Sequence, residues 1–202
     1  MLRLFRRATP LALLLALVVQ TGAQASTVSI SMVNFSFTPD PGKLKVGDTV
    51  KWTNSTTSTS HTSTQDTPLA LWDSGTVGPG ASFSFTITAA GLYPYHCTFH
   101  VSLGMKGTIG ARDKVVPTSG PVGTIFTVTV ASIAAPAGFV YDVQKQNPGG
   151  GFTDWMIGVT SMSVTFDSTA QATGTYKFRS RLRRTSNGAT SGYSPGFPIT
   201  VT

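Results

Sequence analysis

Gly91-Leu92-Tyr93-Pro94-Tyr95-His96-Cys97-Thr98-Phe99-His100 runs on through Val101-Ser102-Leu103-Gly104 to Met105, and its reading decides the fold. Tyr93, Tyr95 and Cys97 alternate, so they share the inward face of an extended segment, and the chain's only cysteine ends that strand with its sulfur on the core side. His100 and Met105 follow on the next turn and its exit, and a second histidine, His61, lies upstream on a separate loop. One thiolate, two imidazoles and a weak thioether form the trigonal set with a long axial bond that suits copper in both oxidation states. Zinc also accepts two histidines and a cysteine, but a thioether is a poor zinc ligand, which favours one mononuclear copper cycling between Cu(I) and Cu(II). His96, the remaining histidine, alternates to the face opposite Cys97 and is expected to point outward rather than to act as a fifth ligand.

Working outward, helix signals are almost absent: the chain has no glutamate, and Gly or Pro recurs every few residues. Period-two apolar runs recur at Val28, Ile30, Met32; at Phe83, Phe85, Ile87; at Phe126, Val128, Val130; at Phe139, Tyr141, Val143; at Met162, Val164, Phe166; and at Tyr176, Phe178, Ser180, Leu182. Turn residues such as Gly78-Pro79-Gly80 and Asn147-Pro148-Gly149 separate them, which predicts an all-β chain of sandwiches. Charged residues and Pro117-Thr118-Ser119-Gly120 interrupt the pattern, so the expected division is a copper domain at 26–111, a linker at 112–120 and a second domain at 121–202.

Over nearly its whole length the first module resembles the cupredoxins, in particular plastocyanin-like and amicyanin-like blue copper proteins. The resemblance rests on Phe35-Ser-Phe-Thr-Pro39, Leu44-Lys-Val-Gly-Asp-Thr-Val-Lys-Trp-Thr-Asn54, His61-Thr62, Asp73-Ser-Gly75, Gly91 to Cys97 and Gly104-Met105-Lys-Gly-Thr-Ile109. It implies a Greek-key β-sandwich with His61, Cys97, His100 and Met105 on copper at one end, Thr62 tying the two ligand loops together, and electron carriage between a redox donor and acceptor. The chain departs from the family in Ser55 to Ser60, all Ser and Thr, which leaves that loop's shape open. Phe35, Phe37, Trp72 and Phe99 are candidates for the apolar shell that excludes water.

The second module resembles a fibronectin type III or related immunoglobulin-like sandwich through Tyr141-Asp-Val-Gln144, Trp155, Thr175 to Leu182 and Gly192-Tyr-Ser-Pro195. It holds no His or Cys, so a second metal centre is not expected there. Lys177, Arg179, Arg181 and Arg183 form a basic stripe on the outward face of one strand. Such a stripe is most simply a solvated face that blocks edge pairing, and otherwise a docking face for an anionic surface or acidic partner; nucleic acid is not expected.

The basic start Met1 to Arg7, the apolar run Leu11 to Val19 and Ala23-Gln24-Ala25 read as a cleaved export signal over 1–25, with ordinary export favoured over the twin-arginine route. The expected location is exported: periplasmic, cell-surface or secreted, with no transmembrane segment. Of the formal charge of +7, Arg3, Arg6 and Arg7 would leave with the signal. An unpaired thiol in an oxidising compartment is a liability unless a metal occupies it. Asn34-Phe35-Ser36 and Asn54-Ser55-Thr56 fit the glycosylation sequon, a pattern frequent by chance. No nucleophile–base pair, carboxylate cluster or phosphate loop occurs, so an enzyme is disfavoured. The leading reading is an exported single-electron carrier; the alternatives are copper storage or delivery, and a surface interaction protein with a secondary copper site.

Overall fold

Abundant Thr, Val and aromatic residues with frequent glycines favour pleated structure over helix. The computed structural model describes residues 25–40, 42–66 and 68–202, and among them the one helical element is the 3-10 turn Val101–Leu103. The expected export signal lies, apart from Ala25, outside the described residues. Among the described residues no helix is long and apolar enough to cross a membrane.

The first half contains β1 Thr27–Val33, β2 Ser36–Thr38, β3 Gly42–Lys45, β4 Thr49–Asn54, β5 Thr64–Gln65, β6 Ser82–Thr86, β7 Gly91–His96 and β8 Lys106–Arg112. They form two four-stranded sheets, β2-β1-β4-β6 and β3-β8-β7-β5. From the expected alternation Ile30, Met32, Ile87, Tyr93 and Tyr95 are buried in one cluster, joined by Val50, Trp52, Ile109, Cys97 and Met105, while Val28, Phe83 and Phe85 are only partly buried against it. Removing each such aromatic side chain from water is worth about 2–3 kcal/mol. The rings demand space on the neighbouring strand. Tyr95 pairs with Gly107 across β7 and β8, and a Cβ on Gly107 would lie 2.5 Å from Tyr95 Cζ, so only glycine fits beneath the ring.

The second half contains β9 Lys114–Val116, β10 Ser119–Gly120, β11 Ile125–Thr129, β12 Phe139–Gln146, β13 Phe152–Val159, β14 Ser163–Asp167, β15 Gly174–Arg184 and β16 Phe197–Val201. Their sheets are β14-β11-β9 and β10-β16-β15-β12-β13. A second core of Phe126, Val128, Tyr141, Val143, Phe166, Tyr176, Phe178 and Ile199 lies between them. Val164 and Phe166 are buried as the alternation predicts, whereas Met162 is exposed just before β14.

The segment 112–120 is not a free linker. β8 runs through Arg112, Asp113 is buried, β9 pairs with β11, and β10 pairs with β16. Val115 is the inward residue of β9, but a three-residue strand flanked by charge and Pro117 is too short for its alternation to show in sequence. The halves are also bridged elsewhere: Leu92 and Gly192 exchange backbone bonds of 2.8 and 2.9 Å, Arg112 Nη2 donates to the Gly196 carbonyl (3.1 Å) and Arg184 Nη2 to the Leu69 carbonyl (2.6 Å). These contacts gather where β7 begins and β8 ends. The opposite ends of the same strands lead to Cys97 and Met105, so β7 and β8 separate the joint from the site by the length of a strand, about 20 Å at ~3.3 Å per residue.

Candidate metal centre

Backbone hydrogen bonds hold each donor before any metal is considered. His61 and Val77 exchange two such bonds (3.1 and 2.8 Å), which fixes the upstream loop against its neighbour. The open question of residues 55–60 is answered by Asn54, a fully buried side chain. Its amide donates to the carbonyls of Thr59 and Val77 (2.8 Å each), and its Oδ1 accepts from Thr56 N (3.0 Å) and Thr56 Oγ1 (2.7 Å). With both amide protons engaged and no exposed surface, Asn54 is not a glycosylation acceptor in the folded chain. On the other side Cys97 N donates to the Met105 carbonyl (3.0 Å), His100 N to the Cys97 carbonyl (3.1 Å) and Met105 N to the His100 carbonyl (3.2 Å). Gly104, at φ +81°, supplies the left-handed residue that turns the chain back into β8.

This framework brings one donor atom from each of His61, Cys97 and His100 within 4.8 Å of the others. Cys97 Sγ lies 3.4 Å from His100 Nδ1 and 3.8 Å from His61 Nδ1. Donors on one ion at bond lengths of about 2.0–2.3 Å stand roughly 3.4–3.8 Å apart at tetrahedral or trigonal angles, so the spacing fits a shared metal. Cys97, His61 and Met105 are fully buried, and His100 is half-buried. The His61 pKa is lowered, first by burial and then by the neighbouring His100, which favours the neutral imidazole that ligates. Its Nε2 is buried without a hydrogen-bond partner among the described residues.

Thr62 does what the resemblance implies. Its backbone N–H donates to Cys97 Sγ (3.3 Å), and its hydroxyl accepts from Thr98 N (2.8 Å) and lies 3.2 Å from Thr98 Oγ1. His96 points away from the donor set, as alternation predicts, and its Nδ1 pairs with Asp66 Oδ1 at 2.5 Å. Asp66 lies on a loop distant in sequence, so no local pattern could have revealed this partner. Of the four aromatic residues expected near the metal, Phe35 packs 4.5 Å from the His100 ring and 6.5 Å from that of His61, and Phe99 lies 6.2 Å from His100. Phe37 and Trp72 instead pack against Tyr95, and Trp72 also against Trp52: alternation on β2 turns Phe37 into the core, whereas Trp72 enters it from the loop after β5, its Nε1 donating to Ser63 Oγ (3.1 Å). Around His100, Phe35, Phe99, Val101 and Leu103 are exposed by 41%, 52%, 41% and 59%, an apolar rim at this end of the sandwich.

The basic stripe on β15 differs from a row of free charges. Asp142, with no exposed side-chain surface, accepts from Arg183 Nε (2.8 Å) and Nη2 (2.9 Å) and from Arg181 Nε (3.2 Å). Burial opposes ionisation of Asp142, yet these arginines and the Gly158 N–H hold its carboxyl below the usual range.

Residues 24–111 match the family model of copper binding proteins, plastocyanin/azurin family. Among solved structures the chain is similar to the Cu(I) form of an amicyanin mutant, at 24% identity over 42% of this chain and 81% of that one, TM-score 0.39. It is similar to oxidised plastocyanin from Dryopteris crassirhizoma, at 25% identity over 42% of this chain and 99% of that one, TM-score 0.37. A Cu-containing nitrite reductase from Thermus scotoductus SA-01 is matched at 27% identity over 42% of this chain and 22% of that one, TM-score 0.38. No curated protein matches the chain. The half of the chain that carries the donor set is therefore cupredoxin-like, and with His61, Cys97 and His100 converging in it, it takes one copper. The family match stops at Ala111, short of the second sandwich.

Proposed function

We propose that this protein is an exported single-electron carrier and not an enzyme, with His61, Cys97 and His100 as its strong copper ligands and Met105 as the weak axial one. The observation that carries the reading is the convergence of Cys97 Sγ with the Nδ1 atoms of two histidines in a buried, backbone-braced pocket beside Met105. Bound copper supplies a reversible one-electron couple. The residues supply the rest. His61 and Cys97 exclude water, Thr62 locks the two loops, and the bonds among Cys97, His100 and Met105 resist rearrangement. The half-exposed His100 inside the apolar rim is the side at which a redox partner docks, since exposed apolar patches mark transient contacts. The second sandwich, of immunoglobulin-like type, carries and positions the copper module.

The test is a visible spectrum and a voltammogram of the copper-loaded protein. The oxidised wild type should absorb intensely through charge donation from the Cys97 thiolate, and Cys97→Ser should abolish the band; an unchanged band in that variant refutes the ligand set. Met105→Gln should lower and Met105→Leu raise the potential while copper is retained. Leu103→Asp should slow transfer to the natural partner with the spectrum intact.

A further inference from the structure

A cleft runs along the joint of the two sandwiches, where the outer face of the sheet β3-β8-β7-β5 meets the loop that leads into β16. Three residues stand in register across its floor: Lys43 on β3, Gly110 on β8 and Leu92 on β7. Gly110, in the middle, has no side chain, and the hollow is the space it leaves. A Cβ there would lie 3.3 Å from Pro195 Cγ and 3.8 Å from Leu92 Cδ1. Pro195 and Gly196 of the second module line the cleft from the other side, and Arg112, two residues past Gly110 on the same face of β8, completes it. It encloses about 320 Å³. That is the low end of the range for small-molecule sites, which favour domain interfaces and combine apolar walls with a few polar groups.

The charged residues of the lining are both cations, and neither is spent. Lys43 is exposed and makes no ion pair among the described residues. Arg112 lies 5.2 Å from the Phe197 ring and gives one hydrogen bond, from Nη2 to the Gly196 carbonyl (3.1 Å), while its Nε is buried without a partner among the described residues. The acids of the neighbourhood are engaged elsewhere. Asp40 lines an adjoining depression on the far side of Lys43 and accepts from Thr108 N (2.7 Å). Asp113 follows Arg112 but is buried against the Ser180 hydroxyl, and burial drives it toward its neutral form. Asp154 is taken up by Gln144 and Tyr193, outside the lining. Lys45, opposite Arg112 on β3, also stands outside it, with Asp48 beside it.

Each part of the cleft selects a part of its ligand. Two unmatched cations call for a negative charge, and a guanidinium with an ammonium holds a carboxylate through charge-assisted bonds. Diagonal residues on neighbouring strands stand roughly 7–8 Å apart, so the long side chains of Lys43 and Arg112 can meet on one group. Leu92, Pro195 and the bare Gly110 offer no side-chain donor and face an apolar body.

From this we propose that the cleft binds a small organic acid, its carboxylate held by Arg112 and Lys43 and its compact apolar body seated on Gly110 between Leu92 and Pro195. The lining comes from both sandwiches, so the bound acid clamps the joint. The site lies at the end of β7 away from Cys97 and does not depend on the copper reading.

The experiment is titration calorimetry of the full-length copper-loaded protein at neutral pH. Benzoate serves as the acid, benzamide as its uncharged counterpart of the same shape, and inorganic phosphate as an anion without an apolar body. Benzoate should bind saturably, and benzamide and phosphate roughly tenfold more weakly or worse. Bound benzoate should also raise the unfolding midpoint. Lys43→Gln should weaken benzoate roughly threefold, the size of an exposed charge contact, and Gly110→Ala, whose methyl enters the hollow, should weaken it too, both with the visible spectrum unchanged. Should Gly110→Ala disturb the joint and melt early, Lys43→Gln, on an exposed side chain, decides alone. No saturable benzoate binding below about 10 mM, equal binding of benzamide or of phosphate, or an affinity unchanged in Lys43→Gln overturns the proposal.

Discussion

The two halves of this chain are β-sandwiches of similar make, and they differ in what surrounds their buried polar clusters. In the first, His61, Cys97 and His100 converge with no carboxylate among them, and a buried carboxylate of that half, Asp48, is taken up outside the donor group by the Ser26 and Lys45 backbone N–H groups. In the second, Asp142 is buried as a charge and matched by two arginines, while Asp113 is buried beside the Ser180 hydroxyl and driven toward its neutral form. Donor atoms that converge with no carboxylate or cation to satisfy them suit a metal; a carboxylate already matched by two arginines does not. The contrast explains why copper chemistry belongs to one half and surface charge to the other.

The most severe way to break that contrast is to take the metal away. Copper that binds only the native state at about 1,000 times its dissociation constant adds roughly 4 kcal/mol. Chelation should therefore lower the unfolding midpoint of the first sandwich and leave the second where it was. Calorimetry in which both transitions move together would show that the halves melt as one body.

Removing the counter-ion in the other half should cost nearly as much. Asp142→Ala leaves Arg181 and Arg183 without the carboxylate they share, and loss of one member of a buried ion pair costs about 3 kcal/mol. Denaturant unfolding followed by intrinsic fluorescence should register this, with the copper absorption persisting beyond the early transition. An unchanged midpoint would mean that water replaces Asp142 without penalty.

Asp113 gives a pH dependence whose sign follows from its raised value. Burial, only partly offset by the Ser180 hydroxyl and by Arg112, pushes its carboxyl from 3.8 up to about 7. The folded chain thus holds a proton that the unfolded chain releases. This contribution is complete below pH about 3.8 and is lost progressively as pH rises through about 7, by a few kcal/mol in all. Asp113→Asn should flatten stability over that range; a slope that survives the substitution places the titrating group elsewhere.

The smallest effect sharpens the picture within the first half. Thr62→Val keeps the backbone donor to Cys97 Sγ but strands the Thr98 N–H, which should cost about 1 kcal/mol. It should also broaden the copper absorption band as the two ligand loops loosen. A variant with wild-type band shape and stability would show that the hydroxyl pair is incidental.

By itself the sequence determined the all-β class and the faces of strands such as β7, and it marked Cys97 and His100 as candidate donors, because period-two alternation around Tyr93, Tyr95 and Cys97 and the types of residue at 97 and 100 are local properties of the chain. It also set His96 outward for the same reason. Tertiary structure alone decided the partners that come from far away: Asp66 for His96, Val77 for His61, Asn54 as the brace of the Ser/Thr loop, and Asp142 beneath the arginines of β15. It also turned the expected linker into strands β9 and β10, whose pairing with β11 and β16 leaves little trace in so few residues. The physical reason is range. Alternation is imposed by the geometry of one strand, whereas a hydrogen bond or ion pair between distant loops exists only after hydrophobic burial has closed the sandwich and left those groups no water to face.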